Sequence, residues 1–204
     1  IQNNGVIKVH NCFVSKDQNA PIIPRIGLRM QLTSDLNQLT YYGRGPEENY
    51  SDRKTSQFIG EYSRSIQDMY EGYIRPQENE HRTDVRWLAL TKKSGMGILV
   101  VAEDKIEFNA SNYLMEDFDD GESLGNGKPI TEGVTNSHLT DPKPKKLVDL
   151  FIDYRMMGVG GDDSWGSRPL EQYQIYPGVK NAIEYSFTWI PIRKKSDIYS
   201  TIYK

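Results

Sequence analysis

Val85-Arg86-Trp87-Leu88-Ala89-Leu90-Thr91 and Met96-Gly97-Ile98-Leu99-Val100-Val101-Ala102 are two apolar runs joined by the polar link Lys92-Lys93-Ser94-Gly95. Runs of this length, rich in β-branched and aromatic residues and bounded by turn formers, read as strands, and the short link reads as a hairpin turn. Glu103-Asp104 reads as a second tight turn, leading into another strand over 105–109. Outward from this hairpin, residues 6–13, 26–32, 38–43, 58–66, 147–157, 171–176 and 182–189 repeat the style. In 26–32 the alternation is explicit, with Ile26, Leu28, Met30 and Leu32 on one face and Arg29 and Gln31 on the other. No sustained 3.6-residue periodicity appears, and at most one or two helical turns are expected near 112–118. The chain is therefore expected to be all-β, a single domain over 1–204, with a long irregular segment at 119–146 whose glycines and prolines mark it as functional or mobile.

A formal net charge of −3, from 25 Lys+Arg against 28 Asp+Glu, supplies no basic field for nucleic acid. The basic clusters Lys143, Lys145, Lys146 and Arg193, Lys194, Lys195 read as solvated decoration. No apolar run reaches the roughly 20 residues that cross a bilayer, so a soluble protein is expected. Cys12 is the only cysteine, which removes intrachain disulfides and cysteine metal clusters from consideration. The chain opens on Ile1 inside strand-like sequence, and we read it as part of something longer.

The stretch Gly158-Val159-Gly160-Gly161-Asp162-Asp163-Ser164-Trp165-Gly166 sets one large ring on a loop of residues suited to bending backbone. Trp165 is then either a flat apolar platform, of the kind that suits a sugar face, or a plug at the end of a β-sheet core. Two further stretches, Tyr41 to Arg53 and Tyr73 to Trp87, mix charges, amides and aromatics. They read as a sugar groove or as ion-pair networks in which Glu48, Asp52 and Arg53, and Glu78, Asp84 and Arg86, satisfy one another. The adjacent Glu47 and Glu48 would point to opposite faces and make a poor glycosidase pair; Glu78 and Glu80 share a face without being specific. His10, His81 and His138 are too scattered for zinc, and neither a Gly-x-Ser-x-Gly elbow nor a phosphate loop is present.

Four segments in order, Pro24-Arg25-Ile26-Gly27-Leu28-Arg29-Met30, Gly43-Arg44-Gly45-Pro46-Glu47-Glu48-Asn49-Tyr50-Ser51-Asp52-Arg53, Arg75-Pro76-Gln77-Glu78-Asn79 and Gly158-Val159-Gly160-Gly161-Asp162-Asp163-Ser164-Trp165, resemble the C-terminal, small-chain-type β domain of the family 2 β-galactosidases. The resemblance runs from near Ile1 to about residue 191. It implies an antiparallel supersandwich like that of the galactose mutarotases, lacking its first strands and a mobile active-site loop because the family domain begins before Ile1. It implies that the catalytic glutamates and the magnesium and sodium ligands belong to upstream domains, so no catalytic or metal residue is assigned here. Trp165 is the one residue carried over, as a wall of the active-site mouth beyond the galactose. The implied partners are those upstream domains and a terminal β-D-galactoside such as lactose, in a homo-oligomeric parent of cytoplasmic or periplasmic location. The 119–146 segment is expanded against the family pattern, which leaves the alignment of His138 open. The expected function is a non-catalytic domain of a retaining β-galactosidase, inactive as an isolated chain. The alternatives are a stand-alone carbohydrate-binding module and an aldose epimerase, the latter needing a histidine and a carboxylate in one cleft.

Overall fold

Strand-forming runs that are apolar at most positions can be buried on both faces, and the 85–102 hairpin takes that role at the centre of the sheet. The computed structural model describes residues 1–17, 19–118, 136, 138–163, 166–177 and 182–203. Among them are strands β1 (Ile7–Phe13), β2 (Arg25–Thr33), β3 (Gln38–Gly45), β4 (Phe58–Ser65), β5 (Arg82–Thr91), β6 (Gly97–Ser111), β7 (Leu147–Met156) and β8 (Ile183–Ile192), and one helix, α1 (Ser196–Ile202). Short 3-10 turns occupy Ile66–Met69, Met115–Phe118 and Glu171–Tyr173. All pairings are antiparallel, in the order β1-β8-β6-β5-β3-β4, with β7 joining the far half of β6 and β2 pairing β7.

The all-β expectation holds, and most strand positions agree within a few residues. The expected turn at Glu103-Asp104 does not exist. β6 runs through it, and the register shows how: Trp87 pairs with Val101 and Val85 with Ile106, so β5 advances two residues while β6 advances five. The three extra residues form a bulge in which Glu103, Asp104 and Lys105 are exposed. Their polarity reflects a solvent-facing bulge rather than a chain reversal. The expected strand at 171–176 is instead a 3-10 turn, with Tyr173 N–H bonding Leu170 O at 2.8 Å and Gln174 N–H bonding Glu171 O at 3.0 Å.

α1 was not legible in the periodicity because only Ile198 and Ile202 of its seven residues are strongly apolar. Along β5, Leu88 and Leu90 enter the main core with Leu39, Val100 and Phe187, whereas Trp87 and Ala89 face the other way and meet Leu99, Ile192 and Ile198. Ile198 is fully buried, and covering a side chain of this size contributes about 1.5–3 kcal/mol. Asp197 fixes the entry of the helix by accepting the N–H groups of Arg193 and Lys194 at 3.0 and 3.1 Å. Most of the irregular segment expected at 119–146 lies outside the described residues; Asn136 and residues 138–146 carry no helix or strand. None of the helices formed by described residues is long and apolar enough to cross a membrane.

Candidate functional site

The end of the sheet beyond the bulge gathers three of the sequence segments singled out above. Gly27 lies at a register shift near the start of β2, and a Cβ there would lie 1.7 Å from Asp153 Oδ1, so only glycine lets the strands approach. This places Arg25 over the Phe151 ring at 4.3 Å, donating to Glu78 at 2.9 Å and Asn109 Oδ1 at 2.8 Å, with Asp153 Oδ2 3.1 Å from its Nε. Asn109 is the hub: its amide donates to Glu78 at 2.9 Å and to Asn79 O at 2.5 Å, and its oxygen also faces His81 Nδ1 at 2.7 Å. The second nitrogen of His81 faces Glu107 at 3.1 Å, and Glu107 accepts Met156 N–H at 2.6 Å.

Both nitrogens of buried His81 thus face acceptors, which calls for the imidazolium. Burial alone would lower its pKa, but the hydrogen bond and charge of Glu107 outweigh it and the value is raised. Burial pushes Asp153 up to about 7 against the opposing charges of Arg25 and His81. Glu80, wholly buried and with a backbone φ of 66°, is raised well above the carboxylate range, again by burial first.

Around this layer lies the Gly43–Arg53 segment. Buried Asn49 ties it down, donating to Arg44 O and Glu47 O at 3.0 Å each and accepting Thr83 N–H at 3.0 Å. Glu48 turns inward, accepting the hydroxyls of Tyr50, at 3.2 Å, and Tyr73 and the Glu80 N–H at 2.8 Å. Glu47 turns outward to Arg64, so the two adjacent glutamates diverge as their spacing required. Tyr50 stacks on His81 with ring centroids 5.4 Å apart, and burial, then the Glu48 charge, drives its pKa far up. Asp52 reaches across to the glycine loop and accepts Val159 N–H at 3.1 Å and Gly160 N–H at 2.9 Å. Arg53 donates to Gly160 O and lies 3.4 Å from Asp162. A cleft of about 770 Å³ opens here, with Tyr50, Tyr73, Gln77, Glu78 and Met157 against residues 158–161.

Structural bonding thus accounts for many of the charges in these stretches, but with partners that sequence proximity did not indicate. Glu48 pairs with tyrosines, Asp52 with backbone, Glu78 with Arg25 and Asp84 with Arg44 and Lys54 at 2.9 and 3.1 Å. Ser164 and Trp165, the residue carried over by resemblance, lie outside the described residues. The three histidines stay apart: His10 sits on exposed β1 beside Ser186 at 3.0 Å, His81 is in the core, and His138 faces Asp141 at 3.2 Å. His81 and Glu107 do form a histidine–glutamate pair, but inside the buried layer. Among the described residues no group of three or more His, Cys, Asp or Glu could hold a metal. Sequence reasoning missed Asn109 and Glu107; nothing local marks them, because their partners lie far away in the chain.

The family profile described as "Beta galactosidase small chain" matches residues 1–189. The chain belongs to the β-galactosidase small-chain family. Small-chain sequence of this kind recurs in the β-galactosidase of Priestia megaterium, 33% identical over 179 residues, covering 86% of this chain and 16% of that protein. The β-galactosidase of Leuconostoc mesenteroides is 33% identical over 165 residues, 81% of this chain and 14% of its own length. That of Vibrio cholerae is 33% identical over 179 residues, 83% and 15%. The chain therefore spans about one sixth of the length of the curated relatives it matches.

Proposed function

We propose that this chain is a non-catalytic C-terminal domain of a retaining β-galactosidase, and that Trp165 forms one wall of the active-site mouth on the side of the leaving sugar. The observation that carries this reading is the attachment of the glycine loop: Asp52 and Arg53 bind its residues 159, 160 and 162 directly at the rim of the cleft. A ring on a loop anchored at a cleft suits stacking on the C–H face of a sugar. The acid, the nucleophile and the magnesium and sodium sites belong to upstream domains, the galactoside is the substrate, and the whole enzyme is a homo-oligomer.

The test uses the full-length enzyme that contains this chain. Trp165→Ala weakens glucose binding at the acceptor side about two- to tenfold, the worth of one aromatic contact, and affects aryl galactoside cleavage less. Unchanged glucose affinity overturns the assignment. Glycoside turnover by the 204-residue chain alone overturns the placement of the chemistry upstream. A saturable calorimetric titration of the chain with lactose would favour the stand-alone binding module instead. An epimerase needs a histidine and a carboxylate together in one cleft: the His81 ring beside Glu107 is fully buried, and the exposed pairs His10 with Glu184, 4.0 Å apart, and His138 with Asp141 do not line the cleft.

A further inference from the structure

We propose that the small cavity lined by Glu80, Ser111, Tyr113, Met115 and Phe118 is a binding site for one ammonium ion. The cavity adjoins the polar layer and measures about 20 Å³, room for a single group the size of a water molecule. Glu80 is 1% exposed. Both of its carboxylate oxygens are buried without a hydrogen-bond partner. The Ser111 hydroxyl favours the charged carboxylate but makes no bond of normal geometry to it.

Neighbouring groups do not supply the missing partner. The other two carboxylates of the lining are paired, Glu78 with Arg25 at 2.9 Å and Asp149 with Arg29 at 2.8 Å. Arg82 acts on Glu80 through space, but its own N–H groups go to Tyr41 Oη at 3.1 Å, His81 O at 3.1 Å and Pro46 O at 2.9 Å. Glu80 also holds a φ of 66°, a left-handed conformation that is uncommon outside glycine. A buried carboxylate without a partner is costly, and unfavourable features of this kind concentrate where a ligand is held.

The walls select the ligand. An ammonium ion has the size of water, carries the charge opposite to the carboxylate and offers N–H donors in four directions. Two serve the Glu80 oxygens, and one serves Ser111 Oγ, which accepts Tyr113 N–H at 2.9 Å and keeps a second lone pair. The fourth meets an aromatic face. Tyr113 and Phe118 line the cavity, and Tyr70 backs them with ring centroids 4.5 and 6.2 Å away, a setting that favours a desolvated cation. Burial, then the negative charge of Glu80, raises the hydroxyl of Tyr113, and the same charge acts on Tyr70, so both rings stand close to the carboxylate. A divalent metal asks for about six oxygen ligands, and among the described residues no group of three or more His, Cys, Asp or Glu could hold one. Where burial keeps Glu80 protonated, binding is an exchange: the ammonium enters, the acid O–H breaks and its proton leaves to solvent.

The experiment is hydrogen exchange on the full-length enzyme that contains this chain, titrated with ammonium chloride or with potassium chloride, using the unaltered protein, Glu80→Gln and Glu80→Gly. The amides to read are that of Glu80, which donates to Glu48 at 2.8 Å, and that of Tyr113. Exchange through openings that release the ion is expected to slow about tenfold when ammonium reaches about ten times its dissociation constant, and neither variant responds. Glu80→Gly removes the acid and suits the left-handed backbone, so it takes the measurement where Glu80→Gln does not fold. Methylammonium, larger by one methyl group than the space allows, protects less than ammonium. An unchanged rate across the ammonium titration leaves the cavity to water and overturns the proposal. So does equal protection by potassium, which has the charge without directed donors, by methylammonium, or in Glu80→Gln.

Discussion

The two halves of the β5–β6 pair, on either side of the bulge at 103–105, are built on different principles. Near the hairpin, Leu88, Leu90, Leu99 and Val100 are fully buried and carry no polar side-chain atoms. Beyond the bulge the same two strands and their approach bury His81, Arg82, Thr83, Asn109 and Ser111 almost completely. The apolar half is stabilised by transfer from water and, having no titratable groups, is indifferent to pH. The polar half is satisfied only when each hydrogen bond is made, which specifies one arrangement and ties it to protonation. The cleft adjoins the second half, where side chains have to be aimed rather than merely covered.

Leu88→Ala should have the largest effect, costing about 2–5 kcal/mol through lost burial and a residual cavity, and urea unfolding should give the same loss at pH 5 and pH 7. A loss that varies with pH would break the contrast between the halves. The polar half should show the reverse. Asp153, His81 and Glu80 all have raised values in the folded state, so the native chain binds more protons than the unfolded one. Their stabilisation is complete below the unfolded pKa of each group and is lost as pH rises through the folded one. For Asp153 that window runs from the ordinary aspartate value of 3.8 to about 7. Each such proton is worth up to about 1.4 kcal/mol per pH unit. Stability should therefore decline from pH 5 to pH 7, and Asp153→Asn should decline less steeply in the same denaturation series. Glu80→Gln, which removes a buried acid while keeping its size, should flatten it further.

Gly158→Ala should cost about 0.5–1.5 kcal/mol, because the new Cβ pushes the end of the Asp52 side chain away from the amides it accepts; thermal unfolding together with hydrogen exchange at 158–161 checks it. The smallest effect is expected on the covered outer face. Tyr199 donates to Glu61 at 2.6 Å from α1 across to the edge strand β4, and Tyr199→Phe should cost about 0.5–1 kcal/mol with no dependence on the state of the buried acids.

The apolar half was the legible one. Hydrophobic alternation and the Lys92–Gly95 turn placed β5 and the start of β6 without reference to anything distant. The polar half was visible only as a surplus of charge at 41–53 and 73–87. Its partners join positions far apart in the chain, as Arg25 with Glu78 and Asn109, or Asp52 with Val159 and Gly160. Local pattern does not encode such pairs. Glu103-Asp104 was misread because a bulge and a turn ask for the same polar residues, and only the strand pairing on both sides separates them. α1 escaped because two isoleucines four positions apart are too few to establish a period. The glycines at 158–161 announced a bent loop correctly, but the reason for Gly158 is a carboxylate more than a hundred residues away.

The bulge also imposes a parity rule on this chain. Residues before it and after it face alternate sides of the sheet in a phase set by how many amino acids lie between Val101 and Ile106. A one-residue change in 103–105 that the bulge did not take up would swap inside for outside along the rest of β6, sending Asn109 to the wrong surface and the polar layer with it.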